Sequence, residues 1–315
     1  MSMLGACIGD AAGGVLEFMR RCPTATEVAN ALAMPGGGVH GLASGQITDD
    51  GELTLALFSE LKNTVPSKEN FPIYEIITAY VAWLDSRPFD IGNTCYQACL
   101  EASKLIKGET HSVDEFLTNV RERNRPSEAN GALMRATAIA AWVAPVADVS
   151  EDVAAIMARV DAQLSHPNIV CQDCNAVYVY ACVHLLRGVP PTDVWSKVGK
   201  YAIENVQNTN VLRWLFNDSQ DITRMEVYKQ GGHVRWAFTL AMHFLQNPAI
   251  DFTEALTVTL LKGGDTDTNA AIVGGLVGCY QPLPAQMANA VLSCVSGRPA
   301  TYVPSTYADI LRKSV

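Results

Sequence analysis

Two carboxylates and two hydroxyls occupy the consecutive positions 265–268, Asp-Thr-Asp-Thr, directly after two glycines. Positions 270–279 are almost all small or apolar, which predicts a buried helix that begins at this segment. Burying two aspartates at the start of an apolar helix is costly unless a cation meets them. The segment therefore needs a positive partner.

A second acidic segment has the same character. Thr48, Asp49 and Asp50 stand before another apolar run, with Glu52 three residues after Asp49. Either segment alone is typical of a helix cap, because the first turn of a helix favours acidic side chains. A cap needs only one acceptor, however, and no Lys or Arg occurs at positions 22–61 to neutralise the surplus.

A further acidic pair, Asp10 and Glu17, is separated by seven residues, so a helix through both would place them on one face. The carboxylates expected to converge are Glu17, Asp49, Asp50, Asp265 and Asp267. Two divalent cations would nearly balance their charge. Carboxylate and hydroxyl oxygens suit a hard ion such as Mg²⁺ or Mn²⁺.

The composition restricts the class of protein. Apolar residues make up 49% and charged residues 17% of the 315 positions, which predicts a large compact core. The net charge of −9 argues against nucleic-acid binding, which relies on basic patches. The chain shows no secretory signal and no apolar run of about 20 residues, so we expect no membrane contact, a cytoplasmic location and a monomer.

Nine scattered cysteines indicate reduced thiols rather than a disulfide framework. Cys171 and Cys174, with His166 nearby, could begin a zinc site. No second pair completes one, so two thiols on one helix are the preferred interpretation.

The elements that must position these residues are helices. Apolar spacing predicts helices over 53–61, 74–84, 94–106, 131–143, 153–164, 176–186, 194–204, 234–244, 252–261 and 269–279. Alternating strand patterns are scarce and no linker divides the chain. We predict an all-α fold, a single compact domain over residues 1–315. The long irregular stretch 22–48 is either a cover over a site or a surface excursion.

Five motifs in order carry a family resemblance. They are Gly-Asp-Ala-Ala-Gly at 9–13 with Glu17, Thr-Asp-Asp at 48–50, Asn-Gly-Ala-Leu-Met-Arg at 130–135, Ser-His at 165–166 and Gly-Asp-Thr-Asp-Thr at 264–268. In this order they resemble the signatures of the ADP-ribosylglycohydrolase family, which includes dinitrogenase-reductase-activating glycohydrolase and the ADP-ribosylarginine and ADP-ribosylserine hydrolases. The resemblance implies an orthogonal multi-helix fold with a binuclear Mg²⁺ or Mn²⁺ site.

The resemblance also implies roles for individual residues. The implied metal ligands are Thr48, Asp49, Asp50, Asp265, Asp267 and Thr268. Asp267 would bridge the two ions, Glu17 would lie beside them, and Thr266 would point away to serve the helix start. The candidates for proton transfer are Glu17, Asp50 and Asp265.

The ADP-ribose pocket implied by the resemblance contains Ser127, Asn130, Gly131 and His166. Taken from the residues alone, Asn130 and Gly131 could simply form a helix-starting turn, and His166 before Pro167 could simply end a helix. Backbone N–H groups near Asn130 and Gly131 and at helix termini would receive the pyrophosphate, which reconciles an acidic protein with an anionic ligand.

The implied activity is metal-dependent hydrolysis of ADP-ribose from a protein side chain, with arginine the expected acceptor. O-linked substrates (a serine, a polymer or an acetyl ester) and a non-catalytic ADP-ribose-binding or structural protein are the alternatives. The chain departs from the family pattern at Gly51, where a threonine is usual, with Glu52 following, and at Gly232-His233, where Gly-Tyr is usual in arginine-specific members. The first departure removes a hydroxyl beside the implied metals and adds a carboxylate one residue on, whereas the second bears on substrate choice. Neither removes an implied metal ligand.

Overall fold

The computed structural model describes residues 1–67 and 71–312. In these ranges the chain forms sixteen α-helices and four short 3₁₀ helices. The α-helices are α1 (Ser2–Gly13), α2 (Ala25–Leu32), α3 (Asp49–Leu61), α4 (Ile73–Asp85), α5 (Asn93–Ile106), α6 (Val113–Asn124), α7 (Thr137–Val143), α8 (Glu151–Gln163), α9 (Ile169–Leu186), α10 (Pro191–Asn205), α11 (Thr209–Phe216), α12 (Val234–Gln246), α13 (Phe252–Leu261), α14 (Thr266–Val277), α15 (Ala285–Ser293) and α16 (Ala308–Leu311).

The predicted all-α class is confirmed, since the described residues contain two isolated β-bridges and no strand. All ten predicted helical regions overlap an observed helix, but six helices were not predicted: α1, α2, α6, α11, α15 and α16. The 3₁₀ helices span Asp218–Gln220, Val227–Gln230, Ala300–Tyr302 and Pro304–Tyr307.

Two expectations about helix extent are wrong. The predicted helix over 131–143 begins only at Thr137, and positions 131–136 form turns. Helix α1 ends at Gly13, so Asp10 and Glu17 do not share a helix face, and Glu17 lies in the turns that follow. The irregular stretch 22–48 contains α2 and, after it, an isolated β-bridge between Gly37 and Leu42.

Helices α1 and α14 pack closely against each other, and this packing positions the site. A row of glycines on α1, at positions 5, 9 and 13, faces Gly274, Ala270 and Thr266 of α14. A Cβ on any of the three would collide with the backbone of α14. The Gly274-x-x-x-Gly278 spacing lets another helix approach α14 closely, and α1 is that helix. Close contact of the two backbones brings Asp10 of α1 next to Asp267 of α14.

Helix α9 forms part of the centre of the hydrophobic core. It is the one described helix that is long and apolar enough to cross a membrane by length and composition, and 83% of it is buried in the fold. Its apolar residues pack with those of α7 and α8 in a single hydrophobic cluster that extends from Met3 to Leu311. Burial on nearly all sides explains its all-round apolar character, as expected of a core helix.

Candidate functional site

The acidic motifs converge where α1, α3 and α14 meet. Carboxylate oxygens of Asp10, Asp50 and Asp267 lie within 4.8 Å of one another, and so do those of Glu17, Asp265 and Asp267. Asp267 belongs to both groups. Residues separated by more than two hundred positions thus form one acidic cluster, which we call the inner site: Glu17, Thr48, Asp49, Asp50, Asp265, Asp267 and Thr268.

Asp10 fixes the start of α3 beneath the inner site. Its carboxylate accepts hydrogen bonds from the Thr48 amide (3.0 Å), the Thr48 hydroxyl (2.7 Å) and the Gly51 amide (2.9 Å). The side chain is fully buried. Amides at a helix start need acceptors, and here a neighbouring helix provides one in place of a cap from within α3.

Hydroxyls from α14 and from the start of α3 meet at Asp50. Thr48 Oγ1 lies 3.2 Å and Thr268 Oγ1 lies 3.3 Å from Asp50 Oδ2. The other carboxylate oxygen, Asp50 Oδ1, is buried without a hydrogen-bond partner among the described residues. A buried carboxylate oxygen left unpaired is costly, and a cation would satisfy it. The donor set therefore fits a divalent metal with oxygen ligands.

Thr266 has a different task from the other residues of its motif. Its hydroxyl donates to the Gly13 carbonyl at 2.8 Å and so joins the start of α14 to the end of α1. Asp267 Oδ1 accepts the Thr268 amide at 2.9 Å. The motif therefore presents Asp265, Asp267 and Thr268 to the inner site while Thr266 faces α1.

The electrostatics of the inner site show the same need for positive charge. Burial, followed by the charge of neighbouring carboxylates, raises the pKa values of Asp49, Asp50 and Asp267 well above the ordinary range. Burial and then the charge of Asp90 raise the pKa of Glu17 to about 8. Without cations the cluster retains protons that a solvated carboxylate would release.

A cavity of about 630 Å³ opens above the inner site. Eight of the predicted site residues line it: Glu17, Asp49, Asn130, Gly131, His166, Asp265, Asp267 and Thr268. Thr48 and Asp50 are buried and do not line it. Ser127 also stays out of its wall, and its hydroxyl instead lies 2.8 Å from that of Thr94, which does line the cavity.

A short bridge between two loops shapes one side of the cavity. The Asn130 amide donates to the Gly232 carbonyl at 3.0 Å, and the Val234 amide donates to the Glu128 carbonyl at 2.8 Å. The Asn130 side-chain amide then donates to Asp265 Oδ2 at 2.8 Å. The loop that carries Asn130 is thereby oriented by the inner site itself.

The buried guanidinium of Arg135 joins the loop at Gly131 to the segment that carries Ser165 and His166. It pairs with Asp161 at 2.9 Å and donates to the Gly131 carbonyl (2.9 Å) and the Ser165 hydroxyl (2.8 Å). Ser165 in turn lies 2.9 Å from His166 Nδ1. Burial and then the nearby Arg135 charge lower the pKa of His166 to about 3, so the imidazole is neutral at ordinary pH.

The departures from the family pattern have local structural explanations. A Cβ at Gly51 would lie 2.7 Å from Asp10 Oδ2, so the position needs glycine in this arrangement. Glu52 points away from the inner site, where it pairs with Arg298 (2.7 Å) and accepts from Trp83 (2.8 Å). His233 accepts the Arg235 amide at the start of α12 and lies 3.1 Å from Glu128.

Sequence reasoning missed several cavity residues. Phe18, Asp90, Ile91, Gly92, Asn93, Thr94, Cys95, Met134, Tyr228 and Gly231 line it as well. The loop at 86–92 carried a usable signal, because Asp90 follows Pro88 and precedes a glycine just before α5. The CxxC pair, by contrast, lies buried within α9, and Cys171 and Cys174 belong to none of the candidate metal-binding groups found among the described residues.

The sequence of this chain is similar to those of known proteins. The sequence model of the family described as ADP-ribosylglycohydrolase matches residues 1–301. ADP-ribosyl-[dinitrogen reductase] glycohydrolase of Rhodospirillum rubrum is 29% identical over 280 residues, which are 88% of this chain and 83% of that protein. ADP-ribosylarginine hydrolase Tri1 of Pseudomonas putida (strain GB-1) is 36% identical over 104 residues, 31% of this chain and 26% of that protein.

The fold has a solved counterpart. A chain of an ADP-ribosylglycohydrolase-related protein complex superposes with a TM-score of 0.73 at 20% identity, and the match covers 100% of this chain and 96% of that one. At this identity the likeness concerns the fold alone.

Proposed function

This chain belongs to the ADP-ribosylglycohydrolase family, and we propose that it is a divalent-metal-dependent hydrolase that releases ADP-ribose from modified arginine side chains. Its partners would be ADP-ribosylated proteins. The names of the two relatives, which refer to dinitrogen reductase and to ADP-ribosylarginine, support this acceptor.

One observation in particular supports the proposed metal dependence. Asp50 lies beside Asp10 and Asp267 and contacts two threonine hydroxyls through Oδ2, yet its Oδ1 is buried with no hydrogen-bond partner in the described part of the chain. Burial and the neighbouring carboxylates raise its pKa. The residues that would hold two Mg²⁺ or Mn²⁺ ions are Thr48, Asp49, Asp50, Asp265, Asp267 and Thr268. Ions bound there would supply positive charge and lower the pKa of a bound water.

The other residues would bind and orient the substrate. The cavity of about 630 Å³ is within the range of cavities that hold small-molecule ligands. Asn130, Gly131 and the neutral His166 face it, and none of them adds a negative charge near the pyrophosphate. Ser127 would act through Thr94, whose hydroxyl it contacts.

Proton exchange at the scissile bond is assigned to the acidic residues that line the cavity. Glu17 and Asp265 line it, whereas Asp50 is buried beneath and serves to hold the ions. Glu17, whose carboxylate lies beside those of Asp265 and Asp267 in the cavity wall, would deliver a proton to the leaving group, and Asp265, oriented by the Asn130 amide, would accept one.

The test is hydrolysis of a defined ADP-ribosylarginine protein with Mg²⁺ present. Asp267→Ala and Asp49→Ala are expected to lower kcat/KM by more than about 100-fold, since even residues that only support metal ligands cost 10–100-fold. Asp114→Ala, an exposed change at the start of α6, is the matched control and should retain activity. Full Mg²⁺-dependent activity in both site variants would refute the assignment, and turnover of a serine-linked substrate alone would refute the acceptor.

A further inference from the structure

A second group of potential metal ligands lies at the rim of the cavity. It consists of Glu17, His40 and Asp90, which we call the outer cluster. Glu17 follows α1, His40 belongs to the segment between α2 and α3, and Asp90 belongs to the loop between α4 and α5. Three separate parts of the chain thus meet here.

The spacing of the donor atoms is that of a metal site. His40 Nε2 lies 3.2 Å from Glu17 Oε2 and 3.8 Å from Asp90 Oδ2. All three donors lie within 4.8 Å of one another. Zinc bonds of about 2.0–2.1 Å in a tetrahedron separate neighbouring ligand atoms by roughly 3.3 Å, so small side-chain movements would complete this geometry.

The aromatic rings of Phe18 and Phe89 both pack against the imidazole. Their centroids lie 5.7 Å and 5.2 Å from that of His40. The rings restrict the movement of the imidazole and leave Nε2 directed at the two carboxylates. Exposed fractions of 16% for His40 and 24% for Asp90 leave the cluster accessible to an ion.

Charge also favours a cation at this place. Two carboxylates, those of Glu17 and Asp90, lie near the same ring nitrogen, His40 Nε2, and in the described part of the chain His40 is the only basic side chain paired with either. Their ligand atoms lie within 4.8 Å of each other, so the charges of Glu17 and Asp90 repel. A cation between the two carboxylates would relieve this repulsion.

We propose that the outer cluster binds one divalent cation of intermediate softness, such as Zn²⁺, separately from the hard ions of the inner site. An imidazole ligand favours zinc over magnesium, whereas the inner site offers only oxygen. Three protein ligands leave a fourth position for water.

Glu17 belongs to both sites, so an ion bound in the outer cluster would also affect the inner site. One grouping of Glu17 is with Asp265 and Asp267, and the other is with His40 and Asp90. An ion in the outer cluster draws the Glu17 carboxylate away from the inner site. Zinc is therefore an inhibitor of the hydrolysis, and this part rests on the proposed function.

The binding test is calorimetric titration of Zn²⁺ into protein kept in excess Mg²⁺, with Cys22→Ser in every sample to remove an exposed thiol. His40→Gln and Asp90→Asn should each remove one zinc equivalent or weaken it by at least about 100-fold. Asp267→Asn, which alters the inner site, and His111→Gln, an exposed histidine in the loop before α6, should retain that equivalent.

The outcomes separate the outer cluster from the inner site. Unchanged zinc affinity in His40→Gln, or loss in Asp267→Asn alone, overturns the proposal. If His40→Gln misfolds, the zinc affinity of Asp90→Asn tests the proposal instead, because Asp90 lies on a different loop. Thermal unfolding without zinc shows whether each variant is folded. In the hydrolysis assay, zinc should inhibit the parent protein at least about tenfold more strongly than His40→Gln. Outer-cluster binding without inhibition overturns the inhibitory role and leaves the hydrolase proposal intact.

Discussion

At the residue scale, Asp10 holds the residues at the start of α3 and so determines which of their atoms face the inner site. Its two oxygens accept three hydrogen bonds from Thr48 and Gly51, including the proton of the Thr48 hydroxyl. Thr48 Oγ1 also lies 3.2 Å from Asp50 Oδ2, and its single proton, donated to Asp10 at 2.7 Å, cannot serve both carboxylates. A hydroxyl that donates its proton in this way is a better ligand for a cation, because its oxygen stays free to accept.

Gly51 leaves the room that this arrangement requires, so Gly51→Ala should damage both stability and metal binding. The new Cβ would lie 2.7 Å from Asp10 Oδ2 and 2.8 Å from Ile47 Cδ1. Overpacking of this kind costs about 1–3 kcal/mol of unfolding free energy, more than alanine contributes through helix propensity. Denaturant unfolding and a Mn²⁺ binding titration measure the two effects.

Gly199→Ala is the matched control for Gly51→Ala. Gly199 lies in α10, and a Cβ there would meet only Phe216 at 3.5 Å, an ordinary contact. It should raise the unfolding free energy by about 0.5–1 kcal/mol. If Gly51→Ala stabilised the protein to the same degree, the close contact with Asp10 would not exist.

At the element scale, the fold was predictable where helices were long and amphipathic or apolar. The regions of α4, α5 and α13 were identified within a few residues, because their apolar spacing reflects the face they bury. Helix α1 was missed because its row of glycines is poor in helix propensity, and only the packing against α14 explains it. Helix α6 was missed because few of its residues are buried.

The candidate site, like the fold, was predictable only where the sequence itself indicates what a residue must contact. Residues in acidic motifs could be identified because clustered carboxylates without basic neighbours need a cation. Arg135 and Asp90 do not stand in such acidic clusters, and a single charged residue in the sequence does not reveal its partner. Their roles depend on contacts with Asp161 and with His40, which only the folded chain brings together.

Because α1 and α14 carry opposite sides of the acidic cluster, separating them should weaken metal binding. Gly9→Ala would force a Cβ into the backbone at Ala270. We expect a loss of about 1–3 kcal/mol in stability and a smaller rise of Tm on adding Mg²⁺, since Asp10 and Asp267 move apart. Differential scanning fluorimetry with and without Mg²⁺ measures both. A lower Tm with an unchanged Mg²⁺ response would show that the helix crossing does not position the site.

At the scale of the whole molecule, the stability of the fold should depend on what neutralises the inner site. The ordinary pKa values of Asp10 and Glu17 are 3.8 and 4.5, and in the fold they rise to about 7 and about 8. The metal-free folded chain therefore binds protons that the unfolded chain releases between these values. Stability from these groups is present at low pH and is lost as the pH rises towards 8.

In the presence of a chelator, Tm is expected to fall by at least about 3 °C between pH 5 and pH 8. The reason is that each pKa unit by which folding shifts a group corresponds to about 1.4 kcal/mol of unfolding free energy. Saturating Mg²⁺ should remove most of this fall, because the ions replace the protons. Asp267→Asn should flatten the chelated profile by removing one of the interacting charges. A chelated Tm that stays constant or rises over this interval, or an equal Mg²⁺ effect at both pH values, would mean that the acidic cluster is not neutralised by divalent ions. In that case the metal-dependent mechanism would lose its physical basis.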